Sequence, residues 1–158
     1  MGLIAVYKLG YGLEGNVCLV KEKDTMYSDG ITVDAGKAAY EIFEQVFYAA
    51  MEAEAHIYMM CLDGRGKVLG LFEVSHGSME STVLNLQGIF ARAVICGAKG
   101  IIVAHSHPGE GCEITEEDEG NFRELVEASE VMGIPVLDYM VLGNMEYVSF
   151  KEKCLMGE

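Results

Sequence analysis

The chain has 158 residues, 51% of them hydrophobic and 23% charged, with only two prolines. Such a length suits a single domain of about 100 to 200 residues with its own core, and the composition excludes a disordered or fibrous protein. Eleven basic against 25 acidic side chains leave a net charge of −14 with no cluster of Lys and Arg, which argues against direct nucleic-acid binding.

No basic stretch followed by an apolar segment opens the chain, and no apolar run approaches the roughly 18 residues of a membrane span, so a soluble, cytoplasmic protein is expected. Cys18, Cys61, Cys96, Cys112 and Cys154 are odd in number and scattered without a C-x-x-C pair. They read as reduced thiols rather than as a disulfide framework or a zinc ribbon.

In chain order, Val6 to Lys8 and Val17 to Val20 read as short strands around a turn rich in Gly10, Gly12 and Gly15. Asp34 suits a helix N-cap, and Ala39, Ile42, Phe43, Val46, Phe47 and Ala50 recur at helical spacing, predicting an amphipathic helix over 35–52. Ile57 to Leu62 and Val68 to Val74, joined by Asp63-Gly64-Arg65-Gly66, read as a hairpin. A second apolar stripe from Val83 to Val94, stopped by Gly97, predicts a helix over 80–96.

Ile101 to Ala104 then reads as a buried strand. Thr115 opens a third helix carrying Phe122, Leu125 and Val126, closed by Gly133 with Pro135 beyond it. Two last strands follow, over 135–142 and 146–150, around Gly143-Asn144. Hairpins and helices are interspersed without a regular βαβ series, so the expected class is α/β with a mixed sheet flanked by helices.

The chemically informative stretch is His105-Ser106-His107-Pro108 at the C-terminal end of the buried strand, where ligands gather in α/β sheets. Residues i and i+2 of an extended segment share a face, so the two imidazoles can converge on one divalent ion, for which zinc is well suited. Asp118, one turn into the next helix, is the candidate third ligand. Three protein ligands leave an open position for a water, as catalytic zinc requires. Thr115-x-x-Asp118 is equally a helix capping box, and the two readings of Asp118 compete. Cys112, inside the same stretch, is a candidate soft fourth ligand that would close the site.

H-S-H-P, with seven residues from Pro108 to Ile114 and then Thr115-x-x-Asp118, resembles the JAMM motif H-x-H-x7-S-x-x-D of the JAB/MPN metalloprotease superfamily. The stretches Phe72 to Gly77, Ala104 to Pro108, Ile134 to Asp138 and Tyr147 to Lys153 are similar more specifically to RadC-like JAB domains, so the likeness runs over roughly residues 35 to 154 of one domain. The resemblance implies a cytidine-deaminase-like α/β sandwich and zinc on His105, His107 and Asp118. It also implies hydrolysis of an amide in a peptide or protein substrate, with a glutamate as general base and a serine hydroxyl supporting the tetrahedral intermediate.

Two positions depart from that pattern. The family's serine falls on Thr115, which keeps a hydroxyl. Its glutamate falls on Ala55, leaving Glu54 or Glu52 as neighbouring carboxylates, and a one-residue displacement along a strand turns a side chain to the opposite face. Glu54 is therefore the expected base only if the strand start bulges or frays, and His56 and His76 are ambiguous neighbours. Two functions follow: a zinc hydrolase, or a catalytically impaired module of the MPN kind that binds another protein. A zinc nucleoside deaminase is excluded, because neither H-x-E nor P-C-x-x-C occurs.

Overall fold

The computed structural model describes residues 2–27, 32–33, 36–79 and 82–156. A seven-stranded mixed sheet runs in the order β2-β1-β4-β3-β5-β6-β7. Its strands are β1 Gly2–Tyr11, β2 Val17–Tyr27, β3 His56–Leu62, β4 Val68–His76, β5 Gly100–Ser106, β6 Val136–Gly143 and β7 Glu146–Ser149. The helices are α1 Gly36–Phe47, α2 Leu86–Cys96 and α3 Glu116–Met132. None is long and apolar enough among the described residues to cross a membrane.

Alternation along β3 divides the interior in two. Tyr58, Met60 and Leu62 pack with Ile102 and Ala104 of β5 against Ala39, Ile42, Phe43 and Val46 of α1. Ile57, Met59 and Cys61 pack with Ile101 and Val103 against Ile89, Phe90 and Ala93 of α2 and Phe122 and Leu125 of α3. β3 and β5 are buried at every residue, because both faces of the central sheet are covered by helices. The result is the mixed sheet flanked by helices that the interspersed elements predict, and all five cysteines are free thiols.

Element limits differ from the sequence reading where local hydrogen bonding overrides apolar spacing. α1 stops at Phe47 rather than 52, because Tyr48 takes a left-handed φ of 52° and a short 3-10 turn, Ala49–Met51, follows. The Glu44 carboxylate accepts from the Ala50 N–H at 3.1 Å and holds that break. The proposed cap Asp34 lies outside the described residues. α2 starts at Leu86, since Asn85 caps it by accepting from the Gly88 N–H at 2.9 Å, and Val83 is exposed rather than part of a core stripe. Gly97 and Gly133 end α2 and α3 in left-handed conformations, as their positions predict. β5 continues two residues beyond Ala104 and carries His105 and Ser106 inside the sheet.

The end of β5 is fastened to β6, where the His107 N–H donates to the Leu142 carbonyl at 2.7 Å. At the next residue of β6, a Cβ on Gly143 would approach the Glu110 carbonyl oxygen and the Gly111 backbone to 2.8 Å. Only glycine lets the loop after His107 lie this close. Gly143→Ala should therefore displace that loop and cost about 1–3 kcal/mol by overpacking, measured as a fall in ΔG of urea unfolding.

Candidate metal centre

Two strands and one helix terminus build the site. His105 lies on the α3 face of β5, since it pairs directly with Ile57 of β3. His107 follows two residues later, and Asp118 is the third residue of α3. Each of the three offers a nitrogen or oxygen donor, and these atoms lie within 4.8 Å of one another. His105 Nδ1 is 2.8 Å from Asp118 Oδ1, and His107 Nε2 is 3.2 Å from Asp118 Oδ2.

Thr115 closes the approach of α3 as its N-cap. Its Oγ1 accepts from the Asp118 N–H at 3.2 Å, while its own N–H and hydroxyl donate to Asp118 Oδ2 at 3.0 and 2.9 Å. The capping box is therefore present together with the histidine contacts. Asp118 fills both positions because Oδ1 faces His105 while Oδ2 serves the cap and also lies beside His107 Nε2. Tyr139, whose hydroxyl donates to Oδ1 at 3.3 Å, completes the surround. Sequence reasoning missed Tyr139; its only signal was a hydroxyl-bearing residue inside an otherwise apolar β6, where a buried hydroxyl needs a partner.

Asp118 is 0% exposed. Burial alone would raise its pKa, but hydrogen bonds from His105, His107 and the Thr115 N–H outweigh it and hold the carboxyl well below its usual range. In return, the hydrogen bond to Asp118 raises the His107 pKa against the opposing effect of burial. Burial and the Asp118 charge both push the Tyr139 phenol upward, so it remains a donor. A buried carboxylate needs compensation. Two donated protons and one divalent cation are alternative ways to provide it, and the donor set of two imidazoles and one carboxylate suits a cation of the zinc class.

Among the described residues no fourth His, Cys, Asp or Glu joins this group. Cys112 instead packs, partly buried, against the core on the α2 and α3 face. Glu54 is also elsewhere: its carboxylate contacts His76 Nε2 at 3.1 Å. His76 pairs with His56 across β3 and β4, and His56, next to Ile57, occupies the face opposite His105. Ala55 is 1% exposed and continues the β3–β4 ladder through Ser78 and Gly77. Extending the Ile57↔His105 register by two residues sets Ala55 across from His107. The position that faces the histidines thus carries a methyl group. Glu52 and Glu44 line a shallow cleft with Ser106, His107 and Pro108, and Glu44 is already engaged by Ala50.

Comparison with known proteins gives the family context. A model of the RadC-like JAB domain matches residues 33–155. A UPF0758 protein of Pelobacter propionicus is 32% identical over 114 residues, covering 72% of this chain and 50% of that protein. Another, of Syntrophomonas wolfei, is 30% identical over 125 residues, covering 76% and 53%. One of Moorella thermoacetica is 36% identical over 95 residues, covering 60% and 42%. The chain spans about half the length of these curated relatives.

The ion pair sets a pH dependence for the metal-free protein. The Asp118 pKa is depressed on folding, so its contribution is present above its unfolded value of about 4 and is lost as pH falls through the folded pKa. The raised His107 pKa acts in the other sense: its contribution is full below about 6.5 and is lost as pH rises through the folded value. These are two ends of one interaction. In chelator, urea unfolding should show greatest stability between about pH 4 and 6.5. Asp118→Asn should cost about 3 kcal/mol there and flatten the acid limb.

Proposed function

The chain belongs to the RadC-like JAB domain family, and from that membership we propose that it is a zinc-dependent hydrolase of amide bonds in a peptide or protein. The observation that carries this reading is the convergence of His105, His107 and Asp118, with no fourth donor from the described residues in the group. Two nitrogens and one carboxylate oxygen are a catalytic rather than a structural zinc set. When bound, the ion supplies Lewis acidity to a substrate carbonyl and to a water.

The chain's own residues have separate tasks in this proposal. Thr115 and Tyr139 orient Asp118 through the hydrogen bonds described above, and such outer partners fix ligand geometry. The Thr115 hydroxyl, which lines a cleft with His107, Glu110, Gly111 and Glu113, turns from Asp118 to donate to a developing oxyanion. Glu54 contacts His76 rather than this cluster, so the carboxylate we assign to proton transfer in this proposal is Glu52, an exposed residue of a separate cleft that His107 also lines.

A second reading rests on Ala55. With a methyl group opposite His107, the domain keeps its metal as a protein-binding module and hydrolyses little. Zinc content and hydrolysis of an isopeptide-linked probe separate the two. His105→Ala with His107→Ala should lose one equivalent of zinc relative to the unaltered protein. If the hydrolase reading holds, Glu52→Gln lowers the rate by about 10²- to 10⁴-fold with zinc retained. A zinc-loaded but inert protein that gains hydrolysis on Ala55→Glu establishes the module reading instead.

A further inference from the structure

On the other face of the sheet, the first turn of β3 and the last turn of β4 bring together a second set of donors. His56 and His76 are directly paired residues, and their rings stack with centroids 4.3 Å apart and planes at 22°. Strict alternation would send Glu73, three residues before His76, to the opposite side. A β-bulge prevents this: Ile57 pairs with Ser75 but Tyr58 with Glu73, so Val74 is the extra residue. The irregularity aims Glu73 at both histidines, as bulges beside sites do. His56 Nε2 lies 2.9 Å from Glu73 Oε1, and His76 Nδ1 lies 3.9 Å from the same oxygen.

The remaining ring nitrogens are both engaged by Glu54. His56 Nδ1 is 2.7 Å from the Glu54 carbonyl oxygen, and His76 Nε2 is 3.1 Å from its carboxylate. A carbonyl and a carboxylate accept only, so each of these nitrogens carries the N–H. In the neutral rings, His56 Nε2 and His76 Nδ1 then present lone pairs toward the Glu73 carboxylate. Three acceptors facing one another repel unless something positive sits among them. The His56 side chain is 5% exposed and cannot turn to water, whereas Glu73 and His76, at 45% and 52%, remain open to solvent on one side.

We propose that His56, Glu73 and His76 form a second site for a divalent transition-metal ion of the zinc class, with Glu54 orienting both imidazoles. Imidazole N–H groups held by a carbonyl or carboxylate are the usual outer contacts of metal-ligating histidines. Two nitrogens and one carboxylate favour zinc, cobalt or nickel over magnesium or calcium, which prefer oxygen alone. The ion ties the start of β3 to the end of β4, and its effect reaches β5 because the His56 backbone N–H donates to Ser106 Oγ at 2.9 Å, between His105 and His107. All four histidines of the chain are thereby divided into two pairs, one per face.

This inference does not depend on the hydrolase reading, and metal stoichiometry separates the two. The full chain, stripped with chelator, is titrated with zinc by equilibrium dialysis, and with cobalt by visible absorption. The unaltered protein should take up two equivalents. Glu73→Gln with His76→Gln, at half-exposed positions, should take up one, His105→Ala with His107→Ala the other one, and the four-fold variant none. Circular dichroism checks that each is folded. The histidine ring nitrogen shifts of the unaltered protein give a readout that needs no substitution: zinc should move His56 and His76 as well as His105 and His107. If Glu73→Gln with His76→Gln leaves the stoichiometry unchanged and zinc does not move the His56 and His76 resonances, the proposal is overturned and a shared proton holds the cluster together.

Discussion

Backbone pairing between β3 and β5 sets Ile57 opposite His105, and because side chains alternate across a strand, this one register decides the face of every polar group at the strand ends. Ala55, Ile57, His105 and His107 fall toward α3. His56 and Ser106 fall toward α1. A slip of one residue would bring His56 and Glu54 to the His105, His107 and Asp118 cluster and bury Ala55 on the other side. The register is held by apolar residues on both faces, with Met59 and Val103 in one core and Met60 and Ile102 in the other. The chemistry available at His105 and His107 is in this sense a consequence of core packing some residues away.

The helix terminus contributes the second constraint. α3 begins with Glu116, Glu117, Asp118 and Glu119 in its first turn, where acidic groups offset the positive end of the helix dipole. Only Asp118 turns inward. Its two oxygens allow the cap and the histidine contacts to coexist, so the same hydrogen bonds that start the helix also aim the carboxylate. Tyr139 of β6 reaches it because β6 pairs parallel to β5, with Tyr139 opposite Val103 and hence on the same face as His105.

The fold was legible in outline because periodicity carries it. The apolar stripe of α1, the hairpin of β3 and β4, the buried run of β5 and the glycine stops after α2 and α3 all appear in the structure near their predicted places. Boundaries shifted where a single side chain outweighed spacing, as with Glu44 at the end of α1 and Asn85 at the start of α2. The first two strands are longer than the sequence suggests, since charged residues of β2 such as Lys21, Glu22 and Lys23 sit on an exposed edge and give no apolar signal.

The sequence by itself determined that two histidines two residues apart and an aspartate at a helix start would stand near the end of a buried strand, because strand and helix periods are local rules. It also determined that residue 55 lacks a carboxylate. Where the neighbouring Glu54 would go was decided only by tertiary structure, since that depends on which strands pair and where a bulge falls. The bulge at Val74 brings Glu73 beside His56 and His76, and the β5–β6 pairing brings Tyr139 to Asp118. These contacts join residues distant along the chain, and no local spacing encodes them.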